Sequence, residues 1–287
     1  MKIVTTIAEA RSLVIQARAD GKRVALVPTM GALHAGHYSL IDAARRDCDF
    51  VVVSIFVNPT QFGPAEDLSA YPRTPQADHA GCQARGVDVI FEPNVETMYH
   101  PGALTEVTVH GLTQTLCGRS RPTHFAGVCT VVAKLFHIIP AHRAYFGAKD
   151  YQQAAIIKRM TVDLDFPIEI VTCPTVRETN GLAISSRNAY LSPTQRKQAV
   201  ALHDALMLAA DMITTMHPPA ADIIAAVVAH LAAYAPDGEI DYVQIVDPET
   251  LADVQKTGRP VVVALAVKFD RARLIDNMLV DDDFRRN

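Results

Sequence analysis

The chain has 287 residues, of which 49% are hydrophobic and 20% are charged, a balance typical of a globular protein with one large core or two smaller ones. Its net charge of −4 at pH 7 gives no general electrostatic attraction to nucleic acid or to an anionic membrane. The composition therefore argues against both partners, and an anionic substrate must be held by local charges.

Targeting and cysteine patterns point to the cytoplasm. Residues 1–16 mix charged with apolar side chains, and no run of 18 apolar residues occurs, so we expect neither export nor membrane insertion. The five cysteines contain no C-x-x-C pair, so neither a zinc site nor a disulfide framework is indicated. We expect reduced thiols and a cytoplasmic location.

Short apolar runs alternate with segments of helical periodicity in the first part of the chain. The strand-like runs are 24–29, 51–57, 87–91 and 168–172. The segments with apolar residues at three- and four-residue spacing, which predict helices, are 7–19, 35–46, 76–85, 125–138 and 151–164. This alternation predicts parallel βαβ units and a doubly wound, Rossmann-like α/β domain over residues 1–176.

The pattern changes after residue 176, where the polar loop 177–188 begins. Ser192-Pro193 supplies an N-cap followed by proline at the first helical position. We therefore predict a helix from Pro193 to about residue 212, followed by a second helix at 220–234.

Strand-like runs follow these helices without a long helix between the last two, which favours an antiparallel sheet. They are 242–246, 261–267 and 274–278. Residues 177–287 are therefore predicted to form a smaller α+β domain, a lid or dimerisation domain, and the charged tail 281–287 is expected to be solvated and frayed.

Residues 28–37 read P-T-M-G-A-L-H-A-G-H and join the first strand-like run to a predicted helix. Ligands bind at such carboxyl ends of strands in open α/β sheets, and the free N–H groups of the helix attract anions. His34 and His37 can face the same way, while Gly31 and Gly36 allow close backbone approach. The segment predicts a phosphate site. A surface histidine pair and half of a metal site are the alternatives, although no nearby Cys, Asp or Glu completes a metal site.

Neutral amides follow the next strand-like run, at Asn58 and Gln61. An amide both donates and accepts hydrogen bonds, so these residues and Gln153 suit a hydroxyl-rich substrate. For Asn58, capping of a turn ahead of Pro59 is the alternative.

Two further segments offer groups that bind phosphate. Residues 147–150, G-A-K-D, combine a permissive glycine, a cation and a carboxylate at a predicted strand-to-helix junction. Residues 185–187, S-S-R, offer hydroxyls and a guanidinium on a polar loop. A solvated ion pair is the alternative for the first segment, and an interdomain linker is the alternative for the second.

Residues 28–37 resemble the H-x-G-H signature of a nucleotidyltransferase superfamily, in the form that marks pantothenate synthetases. Further blocks resemble that family in the family's order: F-V-N-P-T-Q-F at 56–62, Y-P-R-T at 71–74, R-P-T-H-F at 121–125, F-G-A-K-D-Y-Q-Q at 146–153 and I-S-S-R-N at 184–188. The last block takes the place of the superfamily's mobile K-M-S-K-S loop. Its Ile184 stands where methionine is commoner, which alters apolar packing but removes no catalytic group.

The resemblance implies an ATP-dependent carbon–nitrogen ligase that joins (R)-pantoate to β-alanine through a pantoyl adenylate and releases AMP and pyrophosphate. It also implies Mg²⁺ and a homodimer. The implied catalytic residues are His34, His37, Lys149 and Arg187. The implied pantoate contacts are Asn58, Gln61 and Gln153, and Gln61 is also the implied β-alanine contact. The implied ATP contacts are Met30, Gly31, Ala32, Leu33, His34, Ala35, Gly36, His37, Gly147, Ala148, Lys149, Asp150, Val176, Ile184, Ser185, Ser186 and Arg187.

Two other functions stay open on sequence alone. A nucleotidyltransferase of the same superfamily would stop at a stable nucleotide conjugate, whereas a regulatory module would bind the nucleotide without turnover. Release of AMP together with an amide distinguishes a ligase from both. The sequence does not identify metal ligands, and Asp78 is only a weak candidate.

Overall fold

The computed structural model describes residues 1–63, 68–258 and 260–281, and its contacts divide the chain into two compact units. The first unit comprises Met1–His110, Arg121–Ala148 and Gln153–Cys173. The second comprises Gly111–Ser120, Lys149–Gln152 and Pro174–Asn287. The predicted domains 1–176 and 177–287 stay a prediction.

The first unit is built on a six-stranded parallel sheet. Its strands are β1 Lys2–Val4, β2 Val24–Thr29, β3 Phe50–Ile55, β4 Val89–Phe91, β5 Arg143–Gly147 and β6 Glu169–Cys173. Their spatial order is β1-β4-β3-β2-β5-β6, and each neighbouring pair is parallel. The direction of winding reverses between β2 and β5. Ligands of open α/β sheets bind outside the carboxyl ends of the strands at such a switch point.

The described residues form ten α-helices, of which Val95–Met98 and Leu116–Ser120 are not predicted from the sequence. They are α1 Ile7–Ala19, α2 Ala35–Asp47, α3 Pro75–Ala84, α4 Val95–Met98, α5 Leu116–Ser120, α6 His124–Ile138, α7 Tyr151–Asp163, α8 Pro193–Gln198, α9 Ala201–Met216 and α10 Ala220–Tyr234.

The central strand β2 is buried on both faces. Ala25 and Val27 belong to an apolar cluster that also contains Ile41 of α2. Val24 and Leu26 are also fully buried, and they point to the opposite face because successive strand residues alternate. A parallel strand covered on both sides is the doubly wound, Rossmann-like arrangement that the sequence predicts, and the fold class is confirmed.

The second unit contains a three-stranded antiparallel sheet. Its strands, in spatial order, are β7 Glu239–Val246, β8 Val261–Phe269 and β9 Ala272–Val280. Helices α9 and α10 pack on it, since Leu206 of α9, Val227 of α10 and Leu265 of β8 lie in one buried cluster. The predicted small α+β part with an antiparallel sheet is therefore confirmed.

The helix predicted from Pro193 to residue 212 is two helices. The N–H groups of Leu202 and His203 bond to carbonyls three residues back, and this tighter pattern separates α8 from α9. The Ser192 cap is confirmed, with Gln195 completing a capping box.

Two strands of the first sheet are not predicted from the sequence. Strand β1 has only 3 residues, and β5 reads R-A-Y-F-G, which lacks the β-branched residues that favour strands. Of the predicted tail 281–287, residues 282–287 lie outside the described residues.

Among the described residues, one helical stretch, Pro193–Met216, is long and apolar enough to cross a membrane by length and composition alone. Core helices of water-soluble proteins pass the same test. Leu202, Leu206, Ala209 and Ile213 of this stretch are buried in the core of the second unit. That burial accounts for its apolar composition.

Candidate active site

The loop 30–37 leaves the carboxyl end of β2 and enters α2. Gly31 has φ +80° and Ala32 has φ +50°, so the chain turns through two successive left-handed residues. A Cβ added at Gly31 would lie 3.1 Å from an oxygen of Asp78. Glycine is therefore required at position 31 by both its conformation and the space around it.

The carboxylate of Asp78, on α3, holds this turn. It accepts the N–H of Ala32 at 2.9 Å and that of Leu33 at 2.8 Å, and the Thr74 hydroxyl donates to it at 3.0 Å. Asp78 is only 2% exposed. These charge-assisted bonds give the buried acid a structural role in the loop, which its pattern in the sequence does not reveal.

The two histidines of the loop begin α2 together. The Nδ1 atom of His34 accepts the N–H of Gly36 at 3.2 Å, and the Nδ1 atom of His37 accepts the N–H of His34 at 3.3 Å. The ring centroids lie 4.1 Å apart with an angle of 34° between the ring planes, so the two rings are in contact. Because each Nδ1 is an acceptor, a neutral ring carries its proton on Nε2. The pair can therefore present two N–H donors to an anion.

The amide of Gln61 is oriented by its neighbours. Asn58 donates an N–H to Gln61 Oε1 at 3.1 Å, which leaves Gln61 Nε2 as the donor, and this nitrogen lies 3.0 Å from the sulfur of Met30. Gln61 is 8% exposed. A thioether is a weak acceptor, so a substrate hydroxyl would replace it favourably.

Asn58 directs its polar atoms to other protein groups. Its amide nitrogen also donates to the carbonyl of Gly127 at 3.1 Å, and its oxygen accepts the Tyr99 hydroxyl at 2.8 Å and the N–H of Thr60 at 3.4 Å. The capping alternative for Asn58 is therefore realised, on the short 3₁₀ turn Pro59–Gln61. Its predicted direct contact with a substrate stays a prediction.

Tyr99 helps to hold Asn58 in place, and no pattern in the sequence indicates this role. Burial raises the pKa of its hydroxyl, so Tyr99 stays a hydrogen-bond donor to Asn58 at neutral pH. No local spacing connects residue 99 with residue 58, because they meet only through the fold.

The carboxyl end of β5 is the other side of the switch point. Gly147 ends this strand, and a Cβ added there would meet no other group within 4 Å. Open space therefore adjoins the strand end next to β2, where a ligand is expected. Gln153 lies half-buried on α7.

Of the remaining predicted residues, Ala148 belongs to the first unit, and Lys149, Asp150, Val176 and residues 184–187 belong to the second. The Lys149 ammonium lies 3.8 Å from the Asp150 carboxylate. The loop that follows Val176 is a narrow hairpin, in which the N–H of Ile184 donates to the Val176 carbonyl at 3.0 Å. The hydroxyl of Ser185 then accepts the N–H of Arg187 at 3.3 Å.

A cavity in the second unit brings two of these segments together. Its lining includes Lys149 and Ser185, along with Asn188 and Asp276. Lys149 and Ser185 therefore lie beside the same small space. Engagement of one ATP by both units stays a prediction.

A family model described as Pantoate-beta-alanine ligase matches residues 2–279. The chain belongs to the pantoate–β-alanine ligase family. The resemblance of the sequence blocks to this family is thereby confirmed.

Relatives of this ligase family match the chain almost end to end. A pantothenate synthetase of Moorella thermoacetica is 53% identical over 281 residues, which are 98% of this chain and 99% of the relative. The crystal structure of pantothenate synthetase from Thermus thermophilus superposes with a TM-score of 0.91 at 47% identity, covering 96% of this chain and 98% of that one. The ligase of Francisella tularensis, complexed with beta-gamma ATP and β-alanine, gives a TM-score of 0.81 at 33% identity and 97% coverage of both chains.

Proposed function

We propose that this chain condenses (R)-pantoate with β-alanine to pantothenate, using ATP and releasing AMP and pyrophosphate through a pantoyl adenylate. The observation that carries this proposal is the paired His34 and His37 at the N-terminus of α2, in a member of the pantoate–β-alanine ligase family. The chain is a carbon–nitrogen ligase, and the covalent route is the part that we infer.

In the first half-reaction, a carboxylate oxygen of pantoate attacks the α-phosphorus of ATP. The new P–O bond forms in line with the bond to pyrophosphate, which breaks with its electron pair on the leaving group. The Nε2–H groups of His34 and His37 donate to phosphate oxygens, and their positions are set before ATP arrives by the backbone bonds of the loop. No proton transfer is required of His37, because pyrophosphate leaves as a stabilised anion.

Lys149 and Arg187 supply positive charge to the same phosphates. In this proposal ATP also contacts the loop 30–37, residues 147–150, Val176 and residues 184–186. The described residues contain no cluster of three or more His, Cys, Asp or Glu that could hold a metal ion. Mg²⁺ commonly keeps its waters and binds substrate phosphates, so we infer that it enters with ATP.

Pantoate is held through its hydroxyl groups. Gln61 presents an oriented N–H donor, and Gln153 supplies a second amide. Neutral amides leave the carboxylate nucleophilic, whereas a cation in contact with it would stabilise the ground state. Asn58 contributes by orienting Gln61.

In the second half-reaction, the neutral amine of β-alanine attacks the acyl carbon of the adenylate. The bond between that carbon and the phosphate oxygen breaks, AMP leaves, and the nitrogen loses a proton to solvent. Gln61 lies beside pantoate in this proposal and also meets β-alanine. Positioning of the reacting groups lowers the free-energy barrier of such reactions by about 7–11 kcal/mol.

Omission of one substrate at a time tests this function. Pantoate with Mg²⁺ and ATP should support exchange of labelled pyrophosphate into ATP, and β-alanine should not be required, because the carboxylate is activated first. The complete mixture should release AMP with pantothenate. Exchange that requires β-alanine would contradict the adenylate, and a stable nucleotide conjugate as the final product would instead indicate a nucleotidyltransferase.

We also propose that the enzyme is a cytoplasmic homodimer, which rests on the family resemblance of the sequence. Size-exclusion chromatography with light scattering measures the oligomeric state, and a mass of one 31.2 kDa chain would contradict it.

A further inference from the structure

Two adjacent polar residues are buried in the edge strand β9. Asp276 is 3% exposed and Asn277 is 7% exposed. Leu274 and Met278, two residues to either side of Asp276, lie in the apolar core of the second unit, so Asp276 occupies a core-facing position of the strand. A carboxylate there costs free energy unless its charge is paired.

Asp276 is paired with Arg177, at the start of the hairpin that follows Val176. The two guanidinium nitrogens lie 2.6 and 2.9 Å from the two carboxylate oxygens. Arg177 also donates to the carbonyl of Gly181 at 3.1 Å and bridges to Ala183 through the backbone. Asp276 thereby fixes both arms of the hairpin that leads into residues 184–187.

Asn277 holds the other predicted phosphate-binding segment of this unit. Its side-chain nitrogen donates to the carbonyl of Lys149 at 2.7 Å, and its own N–H donates to Asp276 at 2.8 Å. Lys149, Ser185 and Asp276 line one cavity. Consecutive residues of one strand therefore hold the backbones of two segments beside the same space.

We propose that Asp276 and Asn277 are positioning residues for the adenylation step. They hold the Lys149 segment and the 184–187 segment in one arrangement before ATP binds, without contacting ATP themselves. Asp276 and Asn277 are adjacent on a paired strand, so the distance between them is fixed. The Lys149 segment and the 184–187 segment are therefore also held at a fixed separation. Because the proposed function assigns both segments to ATP, the positioning role depends on that function.

The role has a kinetic signature. The β- and γ-phosphates are present only in the first half-reaction, so misplaced phosphate-binding groups slow adenylation rather than amide formation. Small displacements of positioned groups have large effects on rate, and misplacement by about 1 Å costs on the order of a hundredfold. A purely structural role would reduce both half-reactions in proportion to the folded fraction.

The test compares Asp276→Asn and Asn277→Ala with the matched control Asp241→Asn. Asp241, on β7, also pairs with an arginine of β9, since two guanidinium nitrogens of Arg273 lie 2.6 and 2.9 Å from it. Its side chain is 13% exposed, and it contacts neither Lys149 nor the 184–187 segment through any of these bonds. Pantoate-dependent pyrophosphate exchange, amide formation from preformed pantoyl adenylate, and the thermal unfolding midpoint are measured for each protein.

We expect exchange to fall about tenfold relative to amide formation in Asp276→Asn and Asn277→Ala, and the ratio to stay unchanged in Asp241→Asn whatever its stability. Equal losses in both half-reactions, or the same shifted ratio in the control, overturn the positioning role. If Asp276→Asn does not fold, Asn277→Ala decides, because it leaves no charge unpaired. Absence of exchange in the unsubstituted protein would overturn the proposed function itself, and the positioning role with it.

Discussion

The carboxylate of Asp78 accepts the backbone N–H of Leu33 at 2.8 Å, across 45 residues of sequence. Its other oxygen accepts the N–H of Ala32 at 2.9 Å, a non-glycine residue in the left-handed region. The turn ahead of His34 is thus held by groups of the protein itself. A loop that is already ordered loses less conformational entropy when a ligand binds.

Asp78→Asn should loosen this turn, because an amide keeps one acceptor and turns its NH₂ group toward a backbone donor. We expect the free energy of unfolding to fall by about 1–3 kcal/mol and the KM for ATP to rise. Asp49→Asn is the control, since exposed Asp49 accepts a single N–H, from Arg23. Denaturant unfolding measures the free energy of unfolding, and the kinetics of pyrophosphate exchange measure the KM for ATP. Equal behaviour of the two variants would contradict the role of Asp78.

Gln61→Ala and His37→Ala should damage different kinetic parameters, because the proposed function assigns Gln61 to pantoate and His37 to ATP. We expect Gln61→Ala to raise the KM for pantoate by about tenfold, the loss of one buried hydrogen bond. We expect His37→Ala to slow adenylation about a hundredfold at saturating substrates. Single-turnover measurements separate binding from chemistry, and an unchanged adenylation rate in His37→Ala would remove that residue from the mechanism.

Arg187→Ala should depress pyrophosphate release strongly and leave amide formation from preformed pantoyl adenylate nearly intact. The proposed function assigns the Arg187 guanidinium to the β- and γ-phosphates, which leave in the first half-reaction. Arg196→Ala is the control, since Arg196 forms an ion pair with Glu178 in the same unit. A linker role for residues 185–187 predicts equal losses in both half-reactions together with a lowered unfolding midpoint.

His203 should make stability depend on pH. Burial and the Arg177 guanidinium lower its pKa, although the carboxylates of Asp276 and Asp204 oppose the shift. The ordinary pKa of histidine is about 6.5, so below this pH the unfolded chain binds a proton that the folded protein resists. The contribution of His203 to stability is therefore present above about pH 6.5 and is lost as the pH falls.

The His203→Gln variant should show a flatter dependence of unfolding free energy on pH between about 7 and 5. Urea unfolding at a series of pH values measures this dependence. Parallel curves for the variant and the unsubstituted protein would show that His203 does not titrate differently in the two states.

Local signals in the sequence determined the elements around the site. The strand 24–29 and the start of α2 at Ala35 agree with the structure, because a continuous apolar run and a helix start depend on neighbours in the chain. The blocks from residue 28 to residue 188 likewise determined the family and the candidate groups, since a motif preserves residue types at short spacing. Strand β5, R-A-Y-F-G, was missed because it is short and has no β-branched residue, although Tyr145 and Phe146 favour strands. Its pairing with β2 and β6 is visible only in the fold.

Only the tertiary structure decided how those candidate groups are held. Tyr99 reaches Asn58 across 41 residues, and Arg177 reaches Asp276 across 99 residues. Such pairs depend on the order of the strands and on which faces pack together. Neither sequence separation corresponds to the periodicity of a helix or a strand. Other long-range bonds order the 30–37 loop, through Asp78, and anchor the Lys149 carbonyl, through Asn277. In each case a buried polar group is paired with a group that is distant in the sequence. A local stretch of sequence cannot predict such a pairing.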